Sequence, residues 1–159
     1  MGDFVMANFP VHPDQLSSEW LTDTLRASGA LAGDRSVSSF EVTPVGSGTG
    51  LLGMVMRIHL QYDGGTAGNE PASLVVKFSH PVDVNRAIAM NTNMYGREVS
   101  FFHDIAGSVD VPKPACHFAA VEGDQNIVVL EDLGTYRAGD QVAGVSPDEV
   151  KLIIDAIAP

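Results

Sequence analysis

The sequence has 159 residues, a formal net charge of −11 and a single cysteine. This length is enough for one ordinary domain with an apolar core. The acidic balance argues against a nucleic-acid partner, which needs clustered lysine and arginine, and against an anionic membrane surface. One cysteine excludes an intrachain disulfide, and no segment approaches the roughly 20 apolar residues that span a bilayer. We therefore expect a cytoplasmic protein, since no secretion signal is recognisable near Met1.

The first part of the chain predicts an extended leader followed by one short helix. Pro10 and Pro13 disfavour regular structure in the leader. Ser17 is a candidate N-cap, and Gly29 is a candidate end of the helix. The apolar stripe of this helix would consist of Trp20, Leu21 and Leu25. We assign residues 1–38 to an N-terminal extension.

Five strands are predicted after this extension, three before a long helix and two behind it. Alternation of apolar and polar residues is clearest in the second strand, from Leu52 to Tyr62. The predicted strands cover residues 40–42, 52–62, 72–78, 116–121 and 127–131. The helix between the third and fourth strands is predicted over about 84–106, with Ile88, Tyr95 and Phe102 on its apolar face.

Residues 134–159 predict a polar linker that leads into a well-marked helix. Ser146 is a candidate N-cap, Pro147 suits the first helical position, and Glu149 completes a capping box. The helix has an apolar face of Val150, Ile153, Ile154 and Ile157. Left uncovered, that face would favour association.

A glycine-rich segment stands between the first two strands. Gly48, Gly50 and Gly53 fit the pattern G-x-G-x-x-G-x-V, with Gly46 just before it. Backbone N–H groups approach phosphate oxygens closely only where side chains are absent. A dinucleotide-binding turn would open a helix, whereas this segment opens a strand of period two. A glycine-rich hairpin without a ligand is the alternative.

Lys77 shares one face of the third strand with Val75. A lysine set among apolar residues requires an anionic partner if it is buried. In a kinase-like sheet, Val75 would pack on adenine and Lys77 would contact the α- and β-phosphates of ATP. The alternative is a lysine on an edge strand whose ammonium group extends into water.

Glu98 is the unexpected residue of the long helix. It follows Tyr95 by three positions and precedes Phe102 by four, so it falls on the apolar face. A carboxylate there is costly without a cation, and Lys77 is the natural partner. Arg97 or solvent could satisfy it instead.

The fifth strand ends in two acidic residues, Glu131 and Asp132, followed by Leu133. At the corresponding place in kinases, backbone groups pair with the edge of adenine, which gives Glu131 and Leu133 that role. The carboxylates could instead be solvated turn residues, especially that of Asp132.

Arg86 and Arg137 have no predicted task. The five histidines show no metal-ligand spacing, and no catalytic constellation is predicted in this chain.

Taken together, these residues resemble the aminoglycoside-phosphotransferase-like kinases of small molecules, particularly the ecdysteroid-kinase-like and choline-kinase-like (CHK) branch. The matching stretches are residues 45–50, Arg57, 74–78, 95–102, 111–114 and 130–133. The resemblance implies an α+β fold: a protein-kinase-like small lobe with an antiparallel sheet of about five strands and one long helix, here residues 39–133. It also implies ATP as the nucleotide, with Mg²⁺ ligands and the catalytic aspartate in a larger C-terminal lobe.

No His-Gly-Asp or His-x-Asp sequence follows Leu133. We therefore expect the ATP-binding lobe of a kinase that phosphorylates an alcohol group, inactive as this fragment because the C-terminal lobe is missing. The acceptor pocket would lie in that lobe. The alternatives are a non-catalytic nucleotide-binding or interaction module, and a structural domain in which Lys77 and Glu98 simply pair within the core.

Overall fold

The computed structural model describes residues 8–50, 52–65, 68–136 and 142–158, and for 47–49 it describes the backbone alone. The leader before residue 8, Leu51 of the glycine-rich segment and Arg137 lie outside the described residues, as does the linker from 137 to 141. No helix in the described part of the chain is long and apolar enough to cross a membrane.

The N-terminal region forms a short 3-10 helix, Pro13–Gln15, and the α-helix α1, Ser18–Ala27. The predicted cap is present, because the Ser17 hydroxyl accepts a hydrogen bond from the Trp20 N–H at 3.1 Å. A capping hydroxyl of this kind satisfies a backbone donor that the helix itself leaves unpaired. The residues that α1 buries are Leu21, Thr22, Thr24 and Leu25.

Five antiparallel strands form one sheet in the order β1-β2-β3-β5-β4. The strands are β1 Val37–Thr49, β2 Gly53–Tyr62, β3 Ser73–Ser79, β4 Cys116–Glu122 and β5 Gln125–Glu131. The prediction of a mixed α+β fold around a five-stranded antiparallel sheet is confirmed. The order puts β3 beside β5, so the strand bearing Lys77 lies in the middle of the sheet.

The two faces of the sheet are covered differently. One face packs against α1 and forms the main core, which includes Leu21, Leu25, Ile58, Leu74, Val76, Phe78, Ile127 and Val129. On the other face a smaller cluster joins Val99 to Ala119, Val128 and Leu130 of β4 and β5. Because side chains alternate along a strand, Val75 and Lys77 lie on this second face, beyond the part that the smaller cluster covers.

The segment predicted as one long helix is interrupted. It consists of α2, Asp83–Asn91, then α3, Met94–Ser100, and a π-helical turn, Phe101–Ile105. Asn93 between α2 and α3 has a φ of 50°, in the left-handed region that asparagine tolerates better than most residues. A residue in that conformation ends a helix, so α3 takes its own direction.

The last helix, α4, spans Pro147–Ile157 and begins with the predicted capping box. The Ser146 N–H donates to the Glu149 carboxylate at 2.8 Å, and the Glu149 N–H donates back to the Ser146 hydroxyl at 3.3 Å. None of the residues of α4 is buried. Its apolar side chains, among them Leu152, Ile153, Ile154 and Ile157, are exposed.

Gly53, at the start of β2, is required by the spacing between two strands. A Cβ atom added there would lie 2.6 Å from the backbone oxygen of Phe78 on β3. That contact is with backbone and cannot be relieved by a side-chain rotation. Strand packing alone therefore accounts for a glycine at this position.

We predict that Gly53→Ala lowers the free energy of unfolding by about 1–3 kcal/mol, the usual cost of overpacking. Urea denaturation followed by circular dichroism measures this change. Gly107→Ala is the matched control, because nothing lies within 4 Å of a Cβ at Gly107, and its effect is expected to stay within about 0.5 kcal/mol. Equal stability of the two variants would contradict the assignment.

Candidate functional site

A cleft of about 790 Å³ opens on the second face of the sheet, between the β1–β2 hairpin, β3 and α3. Four of the residues predicted for the nucleotide site line it, namely Gly50, Gly53, Lys77 and Glu98. The described residues among the other predictions, Gly46, Val75, Glu131 and Leu133, are not part of its lining. The structure thus brings Gly50, Gly53, Lys77 and Glu98 together in the cleft. Gly46 of the predicted phosphate loop lies outside its lining, as do the residues assigned to adenine.

The glycine-rich segment forms the hairpin that joins β1 to β2. Thr49 pairs with Met54 across it, and the Gly50 N–H donates to the Gly53 carbonyl at 2.9 Å. A hairpin leads into a strand, whereas a dinucleotide-binding turn leads into a helix. The hairpin therefore has the topology expected of a kinase-type glycine-rich loop.

The strand β1 is irregular just before this hairpin. The β1–β2 pairing shifts between Pro44 and Thr49, and Gly46, within the shifted stretch, has a φ of 65°. Glycine adopts that conformation more readily than residues with a Cβ atom, so Gly46 shapes the backbone here. The backbone of Gly48 belongs to the same stretch of β1.

Lys77 and Glu98 meet at the cleft. The Lys77 Nζ atom lies 2.5 Å from Glu98 Oε1, which joins the middle of the sheet to α3. The two side chains are 37% and 31% exposed, and pairs of such exposure contribute only about 0.2–1 kcal/mol to stability. Their contact therefore does little for the stability of the fold. Its main consequence is a fixed ammonium group that still reaches solvent.

Glu131 ends β5 in a defined hydrogen-bonding arrangement. Its N–H donates to the Ala115 carbonyl at 2.8 Å, and its carboxylate accepts from the Ala115 N–H at 3.0 Å. Val75 is paired with Leu130, one residue earlier, and Leu133 is 37% exposed just beyond the strand. Val75, Glu131 and Leu133 thus lie near one another at the end of the β3–β5 pair.

The sequence of the chain matches a known protein family. The model of the ecdysteroid kinase-like family matches residues 47–159, more than half of the chain. The chain belongs to the ecdysteroid kinase-like family. Membership of this family makes it a kinase-like protein and relates it to the phosphotransferases. No curated protein and no solved structure matches it.

Asp132 of this ecdysteroid kinase-like chain is not a solvated turn residue, and that prediction is wrong. Its side chain is 9% exposed. Its carboxylate accepts hydrogen bonds from Arg57 Nε at 2.6 Å, Arg57 Nη2 at 3.1 Å, Ser73 Oγ at 2.6 Å and the Gly134 N–H at 2.9 Å. The prediction failed because Arg57 and Ser73 are remote in sequence and meet Asp132 only through the strand order.

These contacts also change the acidity of Asp132. Hydrogen bonds from Arg57 hold the pKa of the Asp132 carboxyl below its ordinary value, against the opposing effect of burial. The same bond raises the pKa of the Arg57 guanidinium. Both shifts favour the charged pair over its neutral form.

Tyr95 is a second residue whose role the sequence did not reveal. Its side chain is buried, and its hydroxyl donates to the Leu52 carbonyl at 2.7 Å and accepts from the His80 N–H at 3.1 Å. Leu52 belongs to the hairpin and His80 follows β3. Tyr95 therefore ties the glycine-rich hairpin to the helix that carries Glu98. The helical spacing placed Tyr95 on the apolar face, but it carries no information about the hydrogen bonds of the hydroxyl.

Arg86, which had no predicted task, connects α2 to the β4–β5 turn. Its Nε atom donates to Asp124 at 2.8 Å, and its Nη1 atom donates to the carbonyls of His80 and Pro81, each at 3.0 Å. It also pairs with Asp83. These contacts give Arg86 a structural role away from the cleft.

We predict that the stabilising effect of Asp132 depends on pH in the acid range. Because its pKa is lower in the folded than in the unfolded chain, the effect is complete above the ordinary carboxyl pKa of about 4 and is lost as the pH falls through the folded value. The difference in unfolding free energy between the wild type and Asp132→Asn should therefore shrink below about pH 4. Urea denaturation at a series of pH values measures it.

The matched control is Asp155→Asn, on the exposed side of α4. Substitution at an exposed site should change stability by less than about 0.5 kcal/mol at any pH in the series. A wild-type advantage over Asp132→Asn that stays constant down to about pH 2 would contradict the role assigned to the carboxylate.

Proposed function

We propose that this member of the ecdysteroid kinase-like family binds ATP in the cleft and forms the nucleotide-binding lobe of a kinase that phosphorylates an alcohol group of a small molecule. The observation that supports this most directly is the contact between Lys77 and Glu98 beside a glycine-rich hairpin. A kinase needs a lysine held in one position and still accessible to the phosphates of ATP. The 2.5 Å contact and the 37% exposure of Lys77 meet both requirements.

The phosphates are the part of ATP for which the proposed contacts are best defined. A lysine ammonium has three N–H donors, and Glu98 accepts from one of them, which leaves donors for the α- and β-phosphates. The backbone of the hairpin around Gly50 and Gly53 would cover the phosphates from the other side. Glu98 orients Lys77, and its charge keeps the net charge of the pair near zero until the nucleotide arrives.

Adenine is proposed to lie toward the end of the β3–β5 pair. Val75, on the same face as Lys77, would pack on the ring, and the Glu131 carbonyl and Leu133 N–H would meet its edge. ATP would then extend along β3, with its base near Val75 and its phosphates near Lys77. The two positions are two residues apart on one strand face, about 7 Å, which suits the reach of a nucleoside.

The metal and the acceptor are proposed to require residues beyond this sequence. No group of three or more histidine, cysteine, aspartate or glutamate residues within the described ranges could hold a metal ion, so Mg²⁺ is given no ligand there. The 159 residues contain no His-x-Asp sequence after Leu133 to supply a catalytic base. A C-terminal lobe would contribute both, together with the acceptor pocket.

We predict that Lys77→Met weakens ATP binding at least tenfold, because a charge-assisted hydrogen bond is worth about 1.5–3 kcal/mol. The affinity is measured by NMR titration, which suits weak binding. The free energy of unfolding should change by less than about 1 kcal/mol, since the Lys77–Glu98 pair is partly exposed. Lys151→Met, on exposed α4, is the control and should bind ATP like the wild type. Equal affinities of the two variants would refute the role of Lys77.

We further predict that the 159-residue chain binds ATP without turning it over. Phosphoryl transfer depends mainly on positioning and on charge stabilisation around the transferred group. The catalytic base and the Mg²⁺ ligands that would provide much of this are proposed to lie in a C-terminal lobe. A coupled assay of ADP release in the presence of Mg²⁺ should detect no sustained turnover. Sustained ADP release by the pure chain, lost in Lys77→Met, would show that these residues are catalytically sufficient.

A further inference from the structure

We propose that Asp132 is a positioning residue that sets the base selectivity of the nucleotide site. It would do so by holding the post-β5 segment, residues 131–134, in the conformation that recognises adenine. This inference rests on the proposed function, because it concerns the segment assigned to the edge of the base. Asp132 itself would not touch the nucleotide.

The hydrogen bonds of Asp132 exclude a direct role in ligand binding. Its Oδ2 atom accepts from Arg57 Nε and Ser73 Oγ, and its Oδ1 atom accepts from Arg57 Nη2 and the Gly134 N–H. An ionised carboxylate has about four acceptor positions, so all of them are used within the protein. With its side chain only 9% exposed, Asp132 is committed to holding the chain.

The donors come from three separate parts of the sheet region. Arg57 lies on β2, Ser73 begins β3, and Gly134 belongs to the post-β5 segment itself. The strand ladder between β3 and β5 stops at the pairing of Leu74 with Glu131. Beyond that pair of residues, hydrogen bonds of the Asp132 side chain, instead of strand pairing, connect the post-β5 segment to both β2 and β3.

Gly134 is part of the same hydrogen-bonded arrangement around Asp132. A Cβ atom at this position would lie 3.0 Å from Arg57 Nη2 and 3.1 Å from Asp132 Oδ1. Both distances are tighter than ordinary contacts of a Cβ atom, so a side chain here would push against the ion pair. Because Gly134 has no Cβ atom, its backbone packs directly against the Arg57–Asp132 pair, and its N–H donates to Asp132 Oδ1.

Fixing this segment affects base recognition more than phosphate recognition. Backbone donors and acceptors discriminate between bases only when they are held within about 0.5 Å of the productive position. Lys77 and the hairpin, in contrast, are held by α3 and by β2–β3 pairing, away from Asp132. Loosening the segment should therefore reduce selectivity for adenine and spare the contacts with phosphate.

Asp132→Asn is the sharpest test, because it keeps the shape of the side chain and replaces one acceptor oxygen with an NH₂ donor. In one orientation the amide NH₂ group faces Arg57 Nη2 and the Gly134 N–H, which are both donors. In the other it faces the Arg57 Nε donor, and only the Ser73 hydroxyl can accept from it. We expect the affinity for ATP to fall about tenfold, an expectation based on the loss of 1–2 hydrogen bonds to a charged group. The affinities for GTP and inorganic tripolyphosphate should change less than about twofold, so that the ratio of ATP to GTP affinity falls.

Asp124→Asn is the matched control. Asp124 also pairs with an arginine, Arg86, at the other end of β5, and does not line the cleft. We expect it to keep the wild-type ratio of ATP to GTP affinity even if its stability falls. A ratio that is unchanged in Asp132→Asn, or that falls equally in Asp124→Asn, would overturn the proposal and leave Asp132 a purely structural residue.

Ser73→Ala keeps the proposal testable if Asp132→Asn does not fold. It removes one neutral donor to Oδ2 and is expected to lower the ratio of ATP to GTP affinity in the same direction, by about threefold; an unchanged ratio overturns the proposal. Titrations of the wild type distinguish base selectivity from the proposed binding of ATP. Tripolyphosphate binding without preference for ATP over GTP would refute base selectivity alone, whereas no binding of any of the three probes would refute the proposed function as well.

Discussion

The contact between the Lys77 ammonium and the Glu98 carboxylate is the interaction around which the cleft is arranged. It links β3, in the middle of the sheet, to α3, which packs over only part of the sheet. The pair is too exposed to hold these elements together, because solvent screens it and reduces its contribution to about 0.2–1 kcal/mol. Apolar packing of Val99 on Ala119, Val128 and Leu130 positions the helix, and the ion pair forms as a result.

The unequal covering of the sheet explains why a cleft exists at all. The face that packs on α1 is closed by the main core, including the fully buried Leu21, Leu25 and Phe78. On the opposite face, α3 and the π-helical turn cover the β4–β5 side and leave the β2–β3 side open. The Tyr95 hydroxyl then ties the hairpin to α3 across this opening. The cleft is therefore bounded on both sides by elements that a single side chain connects.

The Arg57–Asp132 and Lys77–Glu98 pairs differ in the burial of their carboxylates. The Arg57–Asp132 pair has its carboxylate 9% exposed and all four acceptor positions used, so it fixes the backbone around it. In the Lys77–Glu98 pair the carboxylate is 31% exposed, and the lysine leaves donors unused. The Arg57–Asp132 pair suits a positioning role, and the Lys77–Glu98 pair suits contact with an anion. This difference, and not the mere presence of ion pairs, connects the two proposals made for the nucleotide site.

Much of this protein followed from local sequence patterns. Period-two alternation located β2, Ser17 and Ser146 marked the starts of α1 and α4, and the apolar position of Glu98 pointed to a cation on the sheet. Each of these signals depends on residues close together in the chain. The tertiary structure decided the break at Asn93, the bonds of the Tyr95 hydroxyl and the environment of Asp132. The φ of Asn93 depends on how α2 and α3 pack, and the partners of Asp132 depend on β3 lying between β2 and β5. Contacts between residues remote in sequence have no periodic signature, so only the folded sheet could reveal them.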